Sequence, residues 1–210
     1  MPLSRRQTLA GLVALALAPS GLPAAAQELN LADLLTPGPL GDKSVGNDKA
    51  PVTIVEYASV TCPHCAVFHK EVYPALKTKY IDTGKVRLIF REFPTSPANA
   101  SIAGFMLARC SGDKYFPLVE AMFEQQQTWI ANPYQGLLNI ARQAGITQDT
   151  FETCLKDRKL ATDITDVARR GVEKFGVEST PTFFVNGVKI VGTRPLAEFE
   201  KAIEAHLKTN

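Results

Sequence analysis

The hydrophobic and polar positions between residues 52 and 93 predict a strand, a helix and a second strand. The run Val52–Tyr57 is β-branched or aromatic apart from Glu56, which is typical of a buried strand. Residues 65–79 place apolar side chains three and four positions apart, which predicts a helix with one buried face. Residues 85–93 alternate between apolar and charged side chains, as a second strand would. This order indicates a right-handed crossover between parallel strands.

A long stretch without any strand pattern follows. Residues 94–176 contain helical patterns alone, and Gly176 ends the last of them. The predicted helices cover residues 96–110, 113–127, 133–143, 147–156 and 159–175. We interpret this stretch as an all-helical insertion, called the cap below, and its aromatic and Met positions as core packing.

The chain returns to strands after the cap. Thr182–Val185 and Val188–Val191 flank Asn186-Gly187, a pair typical of a tight hairpin turn, and a final amphipathic helix follows Pro195. A βαβ unit plus a ββα unit around a central mixed sheet predicts an α/β fold. The expected organisation is a lead-in over residues 27–51, an α/β domain over 52–93 and 177–210, and the inserted cap over 94–176.

The first 26 residues have the pattern of an export signal. Arg5 and Arg6 precede the short apolar run Leu9–Ala18, and Ala24–Ala26 offer a small-residue cleavage site, so we expect cleavage before Gln27. The general secretory route is favoured over the twin-arginine route, because Thr8 stands where the twin-arginine signal prefers an apolar residue. An uncleaved anchor is the alternative.

The charge balance argues against a nucleic-acid partner. The chain carries a formal net charge of +2, with 23 basic and 21 acidic side chains. Removal of residues 1–26 takes away Arg5 and Arg6 and no acid, which leaves a balance of zero. A basic patch for phosphate binding is therefore not expected.

Candidate chemistry is concentrated at Cys62-Pro63-His64-Cys65, where the first strand passes into the helix. The first turn of a helix has unpaired N–H groups and a partial positive charge, which stabilise a thiolate. Pro63 suits the first helical position, because it has no N–H to lose. We expect Cys62 to be the exposed nucleophile and Cys65 the resolving partner. A protonated His64 would add charge and donor capacity beside the thiolate.

The cysteine pair has three other interpretations. A zinc site could use Cys62, Cys65 and His69, but it lacks a fourth ligand and a second close pair. A c-type haem site is excluded, because Ala66 stands where a histidine is needed. A purely structural disulfide in a two-residue ring would constrain little chain. In an exported protein the pair indicates redox chemistry, with no metal and no cofactor.

The Cys62-Pro63-His64-Cys65 motif after such a strand resembles the active site of the DsbA family of bacterial thiol oxidases. The resemblance implies a thioredoxin-like fold in which the edge of the helical cap borders the site. It also implies a redox potential toward the oxidising end of the superfamily. Disulfide isomerases of that superfamily carry a dimerisation domain for which the lead-in is too short, so we expect a monomer.

The resemblance assigns roles to three further residues. Glu56 stands six residues before Cys62, which matches the buried acid of thioredoxin-like proteins, and could relay a proton to or from Cys65. The alternative is a carboxylate that reaches solvent or a lysine. Thr180-Pro181 resembles the cis-proline turn beside the active site, where the backbone of Thr180 would pair with an extended substrate.

Cys110 and Cys154 fall on different predicted helices of the cap. The chain has an even number of cysteines, and we expect it in an oxidising compartment. Both points favour a structural disulfide between Cys110 and Cys154, which would close a loop of about 44 residues. Two buried thiols and a second redox pair are the alternatives. The sequence does not decide whether the two residues come close enough to bond.

Together these features predict a periplasmic thiol oxidase that donates disulfides from Cys62-Cys65 to reduced, unfolded exported proteins. By resemblance, a membrane quinone-linked oxidase of the DsbB type would reoxidise it. A reductase or isomerase kept reduced by a membrane partner would use the same residues. A copper-handling protein or a chaperone-like binding protein is the third possibility.

Overall fold

A computed structural model describes residues 29–208 and contains a five-stranded mixed sheet. The strands are β1 Lys43–Val45, β2 Val52–Ala58, β3 Val86–Glu92, β4 Thr182–Val185 and β5 Val188–Val191. Their order across the sheet is β1-β3-β2-β4-β5. Strands β2 and β3 are parallel, and the other neighbouring pairs are antiparallel. The predicted thioredoxin-like α/β fold is therefore confirmed, with β1 as an added edge strand.

Ten α-helices, one π-helix and one 3₁₀ turn surround the sheet in the described part of the chain. The α-helices are α1 Leu31–Leu35, α2 Pro63–Glu71, α3 Tyr73–Leu76, α4 Ala98–Cys110, α5 Tyr115–Glu124, α6 Gln126–Ala131, α7 Pro133–Gln143, α8 Gln148–Leu155, α9 Arg158–Phe175 and α10 Leu196–Leu207. A π-helix covers Lys77–Ile81 and a 3₁₀ turn covers Gly112–Lys114. Helices α4 to α9 correspond to the predicted cap.

Two predicted helices are divided in the structure. The segment expected as one helix over 65–79 breaks at Val72, because Pro74 has no N–H and its ring disfavours a continuous helix. The segment over 113–127 starts with a 3₁₀ turn and breaks again at Gln125. There the carbonyl of Met122 accepts a 2.8 Å hydrogen bond from the buried indole of Trp129. Core packing thus determines this second break.

Side chains of β2 alternate between the two faces of the sheet. Val55 and Tyr57 join a small cluster that includes Leu34 and Phe175. Ile54 and the other face belong to the larger core cluster, which is shared with α2, α10 and the cap. Because side chains alternate along a strand, Glu56 faces that larger core and the same side as α2.

The lead-in is packed against the sheet through buried ion pairs. Arg91 of β3 donates to both carboxylate oxygens of Asp42, each at 3.1 Å, and to the hydroxyl of Tyr57. Arg109 of α4 donates to the carboxylate of Glu92 and to backbone carbonyls at residues 40 and 41. Every nitrogen of these two buried guanidinium groups donates at least one hydrogen bond, which compensates their desolvation. Residues 29–51 therefore contribute to the same folded unit as β3 and α4.

Residues 29–208 contain neither a helix suited to span a membrane nor a group of metal ligands. Over residues 29–208 no helix combines the length and apolar character needed to cross a membrane. The same range holds no group of three or more His, Cys, Asp or Glu side chains placed to bind a metal ion. The predicted export signal over 1–26 lies outside the described residues.

Candidate active site

Cys62 occupies the N-cap position of α2, and Pro63 is the first residue of the helix. Strand β2 ends at Ala58, and a tight turn closed by a 3.0 Å hydrogen bond from the N–H of Cys62 to the carbonyl of Ser59 leads into α2. The sulfur therefore lies at the carboxyl end of a central strand and at the amino end of a helix. Both elements hold it in place.

Electrostatics favour the thiolate at Cys62. Hydrogen bonding from Cys65 lowers the pKa of the Cys62 thiol to about 5, and hydrogen bonding from the Thr180 side chain and the N–H groups of Cys65 and His64 adds to this effect. Burial acts in the opposite direction and raises the pKa of Cys62. Hydrogen bonding prevails, so the thiol of Cys62 is ionised at neutral pH.

The expectation that Cys62 is exposed is wrong. The residue is only 7% exposed, because Thr180 and the cap side chain Gln126 approach it from two sides. Its neighbours Pro63 and His64 are the exposed residues of the motif. The sulfur of Cys62 is therefore largely covered by neighbouring residues.

Cys65 lies one helical turn deeper and is fully buried. Burial raises the pKa of the Cys65 thiol well above its ordinary value, and a hydrogen bond to Cys62 and the charges of Cys62 and Glu56 raise it further. Both cysteines are unbonded in the structure. The two sulfurs thus differ strongly in acidity, with a thiolate at Cys62 and a protonated thiol at Cys65.

His64 is held by its backbone rather than by its ring. The carbonyl of His64 accepts a 2.7 Å hydrogen bond from the hydroxyl of Thr193, in the loop between β5 and α10. Its contribution to the acidity of Cys62 comes from the backbone N–H, since the ring is not among the causes of the shift. Thr193 was not singled out from the sequence, because its partner is 129 residues away.

The cap contributes Gln126, which sequence reasoning also missed. Its buried side-chain amide donates to the carbonyl of Val60 at 2.9 Å and to the carbonyl of Cys62 at 3.0 Å. These two bonds fix the turn that carries the nucleophile against α6. One glutamine in a helical segment gives no sequence signal for such a contact.

A buried hydroxyl network supports the same turn. The hydroxyl of Ser59 is 2.9 Å from the hydroxyls of Thr61 and Ser101, and the Thr61 hydroxyl contacts Thr95 at 3.1 Å. Ser101 lies on α4, so the network connects the active-site turn to the cap. Fully satisfied buried networks of this kind restrict local motion.

Glu56 and His69 form a buried pair beneath Cys65. Oε1 of Glu56 lies 3.0 Å from Nε2 of His69, with side-chain exposures of 0% and 8%. The ring of His69 stacks on Phe123 of α5, with ring centroids 4.4 Å apart. His69, considered from the sequence only as a zinc ligand, is thus the partner of the buried acid. The expected proton relay through Glu56 stays a prediction.

Thr180 and Pro181 lie across the active site from the cap. The Thr180–Pro181 peptide is cis, as the resemblance implied. The carbonyl oxygen of Thr180 is 3.3 Å from the sulfur of Cys62, and the carbonyl of Pro181 accepts from the N–H of Gly192. The structure therefore brings Thr180 into contact with the nucleophile.

Cys110 and Cys154 are joined by a disulfide between α4 and α8. Their Cα atoms are 6.2 Å apart, within the usual range for such a bond. This pair lies within the cap and connects two of its helices.

A cleft of about 810 Å³ borders the other side of α2. Its walls come from α2 and α3 on one side and from α5 and α6 on the other, and His69 and Phe123 are part of its lining. Pro63 and Gln126 at one end connect it to the surroundings of Cys62.

Comparison with known proteins agrees with this geometry. The family model described as Thioredoxin matches residues 40–205. The crystal structure of alpha-DsbA1 from Wolbachia pipientis is 35% identical, has a TM-score of 0.78, and is matched over 85% of this chain and 97% of its own. The crystal structure of BdbD from Bacillus subtilis is 25% identical with a TM-score of 0.71, over 80% and 93% of the two chains.

Proteins of similar sequence have names that refer to disulfide chemistry. A Rickettsia typhi protein named as a protein-disulfide oxidoreductase is 38% identical over 155 residues, which is 70% of this chain and 56% of that protein. Disulfide bond formation protein D of Bacillus subtilis is 28% identical over 177 residues, 80% of this chain and 78% of that protein. The match thus spans little more than half the length of the Rickettsia relative.

Proposed function

The chain belongs to the DsbA family of thioredoxin-fold proteins, and we propose that it is a thiol-disulfide oxidoreductase that donates disulfides to exported proteins. The contrast between the two active-site sulfurs carries the proposal. A lowered pKa at Cys62 stabilises the reduced state, so the disulfide state is the reactive one. The raised pKa of Cys65 keeps that second thiol protonated in the reduced protein.

The reaction begins at the disulfide between Cys62 and Cys65. A substrate thiolate attacks the sulfur of Cys62, a mixed disulfide forms, and the electron pair of the broken bond stays on Cys65. A second substrate thiolate then attacks the substrate's own sulfur and releases Cys62. Cys62 is the better leaving group because its thiolate is stabilised by the surrounding donors. The products are an oxidised substrate and a reduced protein.

Substrate binding is assigned to the backbone near Thr180 and Pro181. Thr180 is half-buried and its carbonyl contacts Cys62, so an extended chain that pairs here would present its sulfur to the nucleophile. Backbone pairing carries little sequence preference. This suits reduced, unfolded proteins as substrates.

The sequence supports a periplasmic location, and the family resemblance implies a membrane partner. The export pattern over residues 1–26 supports an oxidising compartment, with the general secretory route favoured. Each turnover leaves Cys62 and Cys65 reduced, so a disulfide donor is needed to restore them. We assign that role to a quinone-linked oxidase of the DsbB type, acting on a monomer.

Refolding of a reduced protein tests the activity. Oxidised wild type, mixed in molar excess with reduced, unfolded ribonuclease A, is expected to transfer one disulfide per molecule, to remove the ribonuclease thiols and to restore ribonuclease activity. Cys62→Ser is expected to transfer none, because the sulfur that substrates attack is absent. If ribonuclease thiols persisted with wild type, or disappeared equally with Cys62→Ser, the proposal would be wrong. Function that survives Cys62→Ser would instead favour a binding protein.

Equilibrium with glutathione tests whether the protein oxidises or reduces its substrates. Thioredoxin and DsbA combine nucleophile pKa values of about 7 and about 3.5 with potentials of about −270 and about −120 mV. The pKa of about 5 at Cys62 lies between them and corresponds by linear interpolation to about −185 mV. A measured potential below about −220 mV would reverse the direction and favour a reductase.

A further inference from the structure

The pairing of Glu56 with His69 leaves two polar atoms without partners. Oε2 of Glu56 and Nδ1 of His69 are buried and accept or donate no hydrogen bond among the described residues. Buried polar atoms of this kind are unfavourable and uncommon in native proteins. Stability alone therefore does not account for the arrangement.

Cys65 adjoins this pair on one side. Cys65 and His69 are four residues apart on α2 and so lie on the same face of the helix. Glu56 extends from β2 toward that face, and its charge acts on the thiol of Cys65. The carboxyl group of Glu56 is thus in contact with the imidazole and near enough to the buried sulfur for its charge to raise the pKa of Cys65.

The cleft beside α2 adjoins the pair on the other side. His69 lies in the cleft lining, and its ring is held between Phe123, at 4.4 Å, and Tyr73, at 4.9 Å between centroids. The other charged residues of the lining are Lys70, Lys77, Glu120 and Glu124. His69 therefore separates a fully buried carboxyl group from a region that opens to solvent.

We propose that His69 transfers protons between the cleft and Glu56, and that Glu56 exchanges them with Cys65. This inference rests on the proposed function. Attack on Cys62 breaks the disulfide and leaves the electron pair on Cys65. The carboxylate of Glu56 takes the proton from Nε2 of His69 and passes it to Cys65, and Nδ1 of His69 takes one from a water molecule that enters from the cleft. Reoxidation of the cysteine pair runs the same transfers in reverse and restores the original tautomer.

A two-step reaction with oxidised glutathione separates the two sulfurs. In the first step the Cys62 thiolate of the reduced protein attacks glutathione disulfide, which releases one glutathione and leaves the other bonded to Cys62. In the second step Cys65 loses its proton and attacks the Cys62 sulfur, which releases the second glutathione. Acid quenching followed by mass spectrometry measures each rate.

His69→Gln is expected to slow the second step roughly 10- to 100-fold near neutral pH, within the range of general acid–base catalysis. The difference from wild type should narrow as the pH rises, because hydroxide then removes the Cys65 proton directly. The first step and the pKa of Cys62 should not change. Phe123→Leu is the matched control: it removes the stacked ring but keeps the imidazole, so the second step should keep the wild-type pH profile.

A second variant keeps the proposal falsifiable if His69→Gln does not fold. Glu56→Gln should slow the second step with the same pH dependence, and the double variant should be no slower than the slower single variant, because the two groups act in series. Equal slowing at every pH, slowing of the first step, or additive effects would overturn the proposal. If wild type fails to form the glutathione adduct, the proposed function itself is wrong.

Discussion

Individual residues around Cys62 decide its chemistry more than the motif alone. Pro63 and His64 contribute the helix start and a backbone N–H, whereas Thr180 and Gln126 come from distant parts of the chain. The position of Cys62 at the N-cap was predictable, because the strand and helix patterns meet there. The burial of Cys62 was not predictable, since the residues that cover it, Gln126 and Thr180, are separated from it by 64 and 118 residues.

Replacement of Gln126 tests whether the cap holds the active-site turn. Gln126→Ala leaves the carbonyl of Val60 without its side-chain donor and weakens the bonding of the Cys62 carbonyl, so we expect a loss of about 1–3 kcal/mol in the free energy of unfolding. Urea unfolding measures this loss. Gln127→Ala, at the exposed neighbour, should have little effect. Equal losses in the two variants would show that the two hydrogen bonds do not matter.

Among the elements, those with a strong local pattern were predictable. Strands β2 and β3 agree with their β-branched runs within a residue or two, and α9 ends at Gly176, whose φ of 59° suits glycine. The breaks at Val72 and Gln125 were missed. The break at Val72 follows from Pro74, which the periodicity of apolar positions does not take into account. The break at Gln125 depends on how Trp129 packs, which no local pattern records.

The pairing of Glu56 with His69 could also not be predicted from the local sequence pattern. The buried position of Glu56 follows from its place in a central strand. Its partner depends on the rotation of α2 about its axis, which is set by the packing of the whole helix. Sequence reasoning therefore identified the acid and the helix but not the contact between them.

The disulfide between α4 and α8 should stabilise the cap. Its loop of 44 residues corresponds to about 4 kcal/mol in the chain-entropy model, as an upper value. We expect the double variant Cys110→Ala, Cys154→Ala to lose up to about that amount of unfolding free energy, measured with urea. The pKa of Cys62 should remain unchanged, because neither cap cysteine is among the groups that lower it. An altered Cys62 pKa would assign the pair a redox role instead.

For the whole molecule, the acidity of Cys62 makes the stability of the reduced protein depend on pH. The pKa of Cys62 is lower in the folded protein, about 5, than in the unfolded chain, where a thiol has its ordinary value near 8.5. The resulting stabilisation is complete above the unfolded value and is lost as the pH falls toward about 5.

Urea unfolding between about pH 5 and about pH 8 measures this linkage. Reduced wild type should become less stable relative to reduced Cys62→Ser as the pH falls through this range. The raised pKa of Cys65 acts above that range, where its contribution is lost with rising pH, and it is present in both proteins. A difference between the two proteins that stays constant with pH would show that Cys62 has an ordinary acidity.

The ionisation of Cys62 tests the central claim most directly. Thiolate absorbance near 240 nm, followed during a pH titration of the reduced protein and corrected with Cys62→Ser, reports the pKa of this one sulfur. The structure predicts a value near 5. A value near 8.5, that of an ordinary thiol, would contradict the account.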